Sequence, residues 1–149
     1  MIAAAVILGS LSTPLMAEAP ARLAMRGEHE QATGSAGSGG RWYSEAQVAR
    51  GAEVYAGNCA ACHGSRAQGG SAGGLEAPAL DGTGHSTHHG LDYLLGQVAE
   101  GGAPRGGAMP PFAGVLDEAE RRAAIAWVQS LWPEAVYRDW QRSQGHHHH

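Results

Sequence analysis

The sequence predicts an all-α domain: three main helices, long loops between them, and a short helix near the end. Three observations predict it. Two stretches open with helix-start boxes, Ser44 with Gln47 and Asp117 with Glu120. In such a box the cap side chain and the third helical side chain each bond the other residue's backbone N–H. Apolar residues then recur three and four apart, as one face of a 3.6-residue helix requires. The intervening segments hold much of the glycine, 23 residues in 149, and carry little strand pattern;.

The length suits one domain. Apolar residues make up 43% of the chain, but aromatics only 6%. All ten basic residues are arginine and the net charge is −4, which excludes the basic footprint of a nucleic-acid binder.

Residues 1–21 begin MIAAAVILGSLSTPLMA, an apolar run broken by Gly9, Ser10, Ser12, Thr13 and Pro14. A membrane span needs about 20 apolar residues. A secretory signal is the reading here, with an uncleaved membrane anchor as the alternative. Residues 22–40 read as a flexible linker, most clearly in GEHEQATGSAGSGG at 27–40;.

Residues 41–142 form the folded domain. After Ser44, the residues Val48, Ala52, Tyr55, Cys59 and Cys62 fall on one helical face, which is expected to bring both thiols to the buried side;. Gly51 interrupts this helix at a cost of about 1 kcal/mol relative to Ala. Close approach by another element is the expected use.

The helix ends in Cys59-Ala60-Ala61-Cys62-His63, a C-x-x-C-H sequence. This is the attachment signature for c-type haem. Two thiols on one helical turn can each form a thioether with a porphyrin vinyl group, and the following imidazole points at the iron. These are the only two cysteines in the chain, so no second pair completes a four-ligand zinc site. A dithiol switch or a structural disulfide is the rival reading. A bound porphyrin also supplies core volume to a chain thin in large apolar side chains.

Residues 64–90 read as a long loop. A haem-ligating histidine usually donates its other ring N–H to a carbonyl or carboxylate, and the backbone near Pro78 in APALDG is the candidate acceptor for His63. His85, His88 and His89 form a second group of ligand-type residues. No carboxylate or cysteine at metal-site spacing supports them, so a polar segment is preferred to a copper or zinc site. Leu91, Leu94, Leu95 and Val98 mark the next helix, closed by Gly101-Gly102;.

Residues 102–116 form another loop, which holds Met109 between a Gly-Gly pair and two prolines. A thioether is a soft ligand suited to haem iron. Met109 is therefore the candidate sixth ligand, with the histidine group as the alternative. Asp117 caps the last long helix, whose expected apolar stripe is Ala124, Trp127, Val128 and Leu131, with Glu118 and Arg122 paired on the polar side;. Pro133 stops it and starts a short helix carrying Val136, Tyr137 and Trp140. Residues 143–149 are a tail ending in His146–His149, which resembles a purification tag;.

With these residues in view, the chain resembles the class I cytochrome c family. The resemblance covers Ser44 to Pro133 and rests on GAEVYAGNCAACHG (51–64), APALDG (77–82), MPPF (109–112) and AIAWVQSLWP (124–133). It implies a small cytochrome c fold wrapped around one covalent haem c. It implies His63 and Met109 as axial ligands and the Pro78 carbonyl as partner of His63. Gly51 and Tyr55 are implied to pack against an aromatic residue of the last long helix, here Trp127. The His85–His89 group is outside the family pattern, and the lysine-rich docking face of mitochondrial relatives is absent. The function implied is one-electron transfer between redox protein partners in the bacterial periplasm, not catalysis. The donor and acceptor are not named by the sequence. The alternatives are a membrane-tethered haem subunit of a larger respiratory or substrate-oxidising complex, and a haem enzyme with an open sixth position.

Overall fold

The computed structural model describes residues 40–144. The signal or anchor at 1–21, the linker up to Gly39 and the His146–His149 tail lie outside the described residues. Among those described, five α-helices and one small sheet follow in order: α1 (Glu45–Asn58), α2 (Ala60–His63), β1 (Gly70–Ala72), β2 (Leu75–Ala77), α3 (Leu91–Glu100), α4 (Glu118–Ser130) and α5 (Glu134–Gln144). Two 3₁₀ turns, His85–His88 and Ala103–Arg105, flank α3. None of the described helices is long and apolar enough to cross a membrane.

Both predicted start boxes form. Ser44 exchanges bonds with Gln47, and Asp117 with Glu120. The predicted helix from Val48 to Cys62 is interrupted at one residue, Cys59, which stays in right-handed helical backbone and is bonded to Tyr55 and His63 at 2.9 Å. α1 ends at Asn58, and the one-turn α2 starts afresh after Cys59. Gly57 and Asn58 are weak helix formers, and the Asn58 amide donates back to the Val54 carbonyl at 2.9 Å, competing with the backbone there.

α1 crosses α4 at Gly51. A side chain there would collide with the Ala123 carbonyl oxygen and lie 2.8 Å from Trp127 Cβ, so the two backbones meet with nothing between them. The crossing sets the Tyr55 and Trp127 rings 4.3 Å apart, tilted by 36°.

The expected α4 stripe needs correction. Ala123 to Ala126 and Gln129 are buried, while Trp127 and Val128 are half-buried and Leu131 is 38% exposed. The physical reason is that α4 is covered on two sides, by α1 and by a cluster of Tyr43, Ala126, Trp132, Tyr137 and Trp140. Small alanines suit both contacts. Trp42 joins this cluster and donates its indole N–H to Gln129 Oε1 at 2.6 Å. α5 is longer than expected, running 11 residues through Ser143 to Gln144. Its Trp140 indole donates to the His89 carbonyl at 2.8 Å.

The all-α expectation holds for the bulk of the domain and fails in residues 64–90. There β1 and β2 pair antiparallel with Gly70 opposite Ala77. Gly73 and Gly74 make the turn in left-handed backbone, at φ +59° and +81°. The strands are three residues each, without a β-branched or aromatic side chain, so no alternation reveals them;. The Gly-Gly pair was the available signal.

Candidate metal centre

His63 closes α2 and is buried. Its Nδ1 lies 2.9 Å from the Pro78 carbonyl oxygen. A carbonyl can only accept, so Nδ1 carries the proton, and in the neutral imidazole the lone pair is on Nε2. The surrounding backbone is knitted together. Gly69 N–H donates to the His63 carbonyl at 2.8 Å, and Leu80 and Asp81 N–H both donate to the Ala67 carbonyl at 2.7 and 3.1 Å. The Tyr55 hydroxyl donates to the Gly64 carbonyl at 2.9 Å. Burial first, then the negative charges of Cys59 and Asp81, push that hydroxyl up to about 12, so it stays a donor at any physiological pH.

The two thiols differ. Cys59 is half-buried, and burial, followed by its neighbour Cys62, pushes its thiol up to about 11. Cys62 is exposed at the surface of the polypeptide. Both cysteines are free.

Met109 is half-buried on a separate loop. Its carbonyl accepts from Gly102 N–H at 2.8 Å, while Phe112 and Ala113 N–H donate to Val98 and Ala99 at 3.0 and 3.1 Å. These bonds dock the loop on the end of α3. Gln97 Nε2 lies 3.8 Å from the Met109 sulfur. Sequence reasoning missed Gln97; the signal was a polar residue three positions after Leu94, at the edge of the apolar stripe of α3. No hydrogen bond joins Met109 to the His63 turn among the described residues.

α3 carries Leu91, Leu94, Leu95 and Val98, yet none of its residues is fully buried by protein. That half-covered apolar wall beside the Met109 loop suits a flat apolar macrocycle. Together with the two free thiols and the fixed His63 tautomer, it fits the donor set of a c-type haem.

Among the described residues, no group of three His, Cys, Asp or Glu side chains is arranged to hold a metal ion. His85, His88 and His89 lie ring to ring at 5.0–5.2 Å. His89 also stacks on Tyr93 at 4.0 Å, and the Arg105 guanidinium lies 5.2 Å from the Tyr93 ring. Burial, then His85 and His88, hold the His89 imidazole below its ordinary range. A cleft of about 500 Å³ is lined by Arg66, Gln68, Asp81, Trp127, Leu131 and Pro133. It opens beside the end of α4 and is bordered by neither cysteine, His63 nor Met109.

Residues 46–128 match the family described as cytochrome C oxidase, cbb3-type, subunit III, over more than half of the chain. The chain belongs to this family of c-type cytochrome domains. It is 40% identical over 88 residues to the Cbb3-type cytochrome c oxidase subunit CcoP of Azospirillum brasilense, covering 58% of this chain and 29% of that relative. It is 36% identical over 88 residues to the subunit of the same name from Azospirillum sp. (strain B510), covering 57% and 29%. The chain thus spans under a third of the length of the curated relatives it matches. No solved structure gives a significant match. Membership of the cytochrome family implies a covalent haem c and a role in electron transfer.

In this cytochrome domain, the segments that carry the candidate ligands have no acidic or arginine side chain of their own, and Arg121 reaches one of them, donating to the Leu116 carbonyl at 2.5 Å. Residues 54–65 and 106–116 contain no Asp, Glu or Arg. The ion pairs join residues outside both segments: Arg41 with Glu134, Arg50 with Glu53 and Glu120, Arg105 with Glu100, Arg122 with Glu118, Arg138 with Glu134, and Arg142 with Asp139. Val115, at the end of the Met109 loop, is 67% exposed.

Proposed function

We propose that this domain is a one-electron carrier with one haem c, held by thioethers from Cys59 and Cys62, with His63 and Met109 as axial ligands. The observation that carries the reading is the His63–Pro78 hydrogen bond. It leaves the Nε2 lone pair free at the end of the turn that bears both thiols. A bound haem supplies a single chemistry, exchange of one electron between two iron oxidation states. The chain's own residues do the rest. Pro78 orients the imidazole and raises its basicity. Tyr55, wedged against Trp127, holds the Gly64 backbone behind the histidine. Gln97 orients the thioether. Leu94, Leu95 and Val98 exclude water. With both axial positions filled by protein, no position is left for a substrate, which favours a carrier over an enzyme.

In this reading the electrons pass between a donor and an acceptor protein in the bacterial periplasm, and residues 1–21 export the domain or anchor it to the membrane. The printed names of the two Azospirillum relatives favour a narrower form, a haem subunit working within a cbb3-type oxidase. Co-purification of the full, untagged chain with oxidase subunits from native membranes supports the narrower form; recovery as a free soluble protein supports the diffusible one.

The ligand set is tested on untagged holoprotein, because His146–His149 can itself bind iron. Haem should remain with the polypeptide through acid–acetone extraction. Met109→Ala should keep the haem but open the sixth position: carbon monoxide binds, the potential falls, and the sulfur-to-iron charge-transfer band disappears. Survival of that band in the variant refutes Met109 as the ligand.

A further inference from the structure

Gly69 touches both backbone segments that form the His63 hydrogen bond. Its N–H is bonded to the His63 carbonyl at 2.8 Å, so its backbone is tied to the histidine. A side chain on Gly69 would meet Ala79 N at 2.9 Å, Ala77 O at 3.0 Å and Pro78 C at 3.2 Å. All three are backbone atoms of the short segment whose Pro78 oxygen faces His63 Nδ1. None can rotate away as a side-chain tip does. That segment is held on both sides, by the pairing of Ala77 with Gly70 and by the bonds from Leu80 and Asp81 to Ala67.

We infer that Gly69 is a positioning residue whose bare backbone sets the length of the His63–Pro78 hydrogen bond, and through it the potential of the iron. The inference rests on the reading of His63 as the axial ligand. The Nδ1–H···O=C bond lends the imidazole electron density, which stabilises the oxidised metal. A methyl group at position 69 pushes the Pro78 carbonyl outward, the bond weakens, and the potential rises.

Gly74 supplies a matched control. Its φ is +81° against +83° for Gly69, so alanine strains both backbones alike, but nothing lies within 4 Å of the space where a Gly74 side chain would sit. The experiment compares the potentials and the His63 Nδ1–H exchange rates of haem-loaded wild type, Gly69→Ala and Gly74→Ala. Gly69→Ala is expected to shift the electron equilibrium about tenfold toward the reduced form, about 59 mV for one electron. It should also speed Nδ1–H exchange about tenfold, while Gly74→Ala changes neither. Equal potentials in the two variants, with His63 still bound, overturn the inference. Should Gly69→Ala fail to mature, wild-type exchange decides instead: the Gly69 amide and the His63 Nδ1–H open together if the two are coupled. An amide that exchanges about a hundredfold faster than Nδ1–H overturns the coupling. An oxidised wild type without the hyperfine-shifted ring signals of a bound His63 refutes the ligand reading itself, a result separate from equal potentials.

Discussion

Replacing Gly51 by alanine tests the crossing that holds the candidate site together. Intrinsic helix propensity favours the variant by about 1 kcal/mol. Packing opposes it. The new Cβ collides with the Ala123 carbonyl oxygen and lies 2.6 Å from the Ala123 carbonyl carbon and 2.8 Å from Trp127 Cβ. Adding a methyl to a packed interior costs about 1–3 kcal/mol. Here the obstacle is helix backbone, which cannot change rotamer, so a cost of about 3 kcal/mol applies. The net loss is about 2 kcal/mol. For a domain near 100 residues, each kcal/mol moves the midpoint by about 4–8 °C, so the thermal midpoint should fall by about 8–16 °C. The assay is far-ultraviolet circular dichroism of the haem-loaded protein on heating. Gly57→Ala is the internal comparison: it lies on the same helix with nothing within 4 Å of its side-chain position, and should gain up to about 1 kcal/mol. A Gly51→Ala midpoint equal to or above wild type would refute backbone contact between α1 and α4.

Two further predictions concern charge. Between residues 41 and 142 eight arginines face eleven carboxylates, and both segments carrying candidate ligands lack Asp, Glu and Arg. Electrostatic steering changes association rates by about 10–10³-fold. The electron-transfer rate to the native partner should instead vary by less than about threefold while the Debye length shrinks from about 30 to 8 Å; a steep fall with salt rules out docking by an uncharged surface. The second concerns His89, whose imidazole is held below its ordinary value by burial and by His85 and His88. The unfolded chain therefore binds more protons than the folded one just below about pH 6.5, so stability falls as pH drops through that value. His89→Gln should flatten this slope in denaturant titrations at pH 5 to 8, and an unchanged slope removes His89 as its source.

Several features of the site were legible in the chain because their chemistry is local. C-x-x-C-H places three ligand-type groups within one turn, and both start boxes need only residues three apart. The His63–Pro78 pair was also approachable, since a ligating histidine needs an acceptor and APALDG offers a backbone one. The helix break at Cys59 was not legible from periodicity, because the spacing of Val48, Ala52, Tyr55, Cys59 and Cys62 continues through it. The approach of Gln97 to the Met109 sulfur was equally hidden, since α3 and the ligand loop meet only when folded.

By itself, the sequence determined the identity and order of the candidate ligands and the helix starts, each governed by interactions within a turn, and it raised close approach at Gly51 as an expectation. Tertiary structure alone decided which surface met Gly51 and which faces of α4 were buried. It also decided that Trp42, 87 residues from Gln129, completes the second core. Burial is a property of two surfaces at once. A helix carries its own apolar pattern, but the backbone that lies against it arrives from elsewhere in the chain.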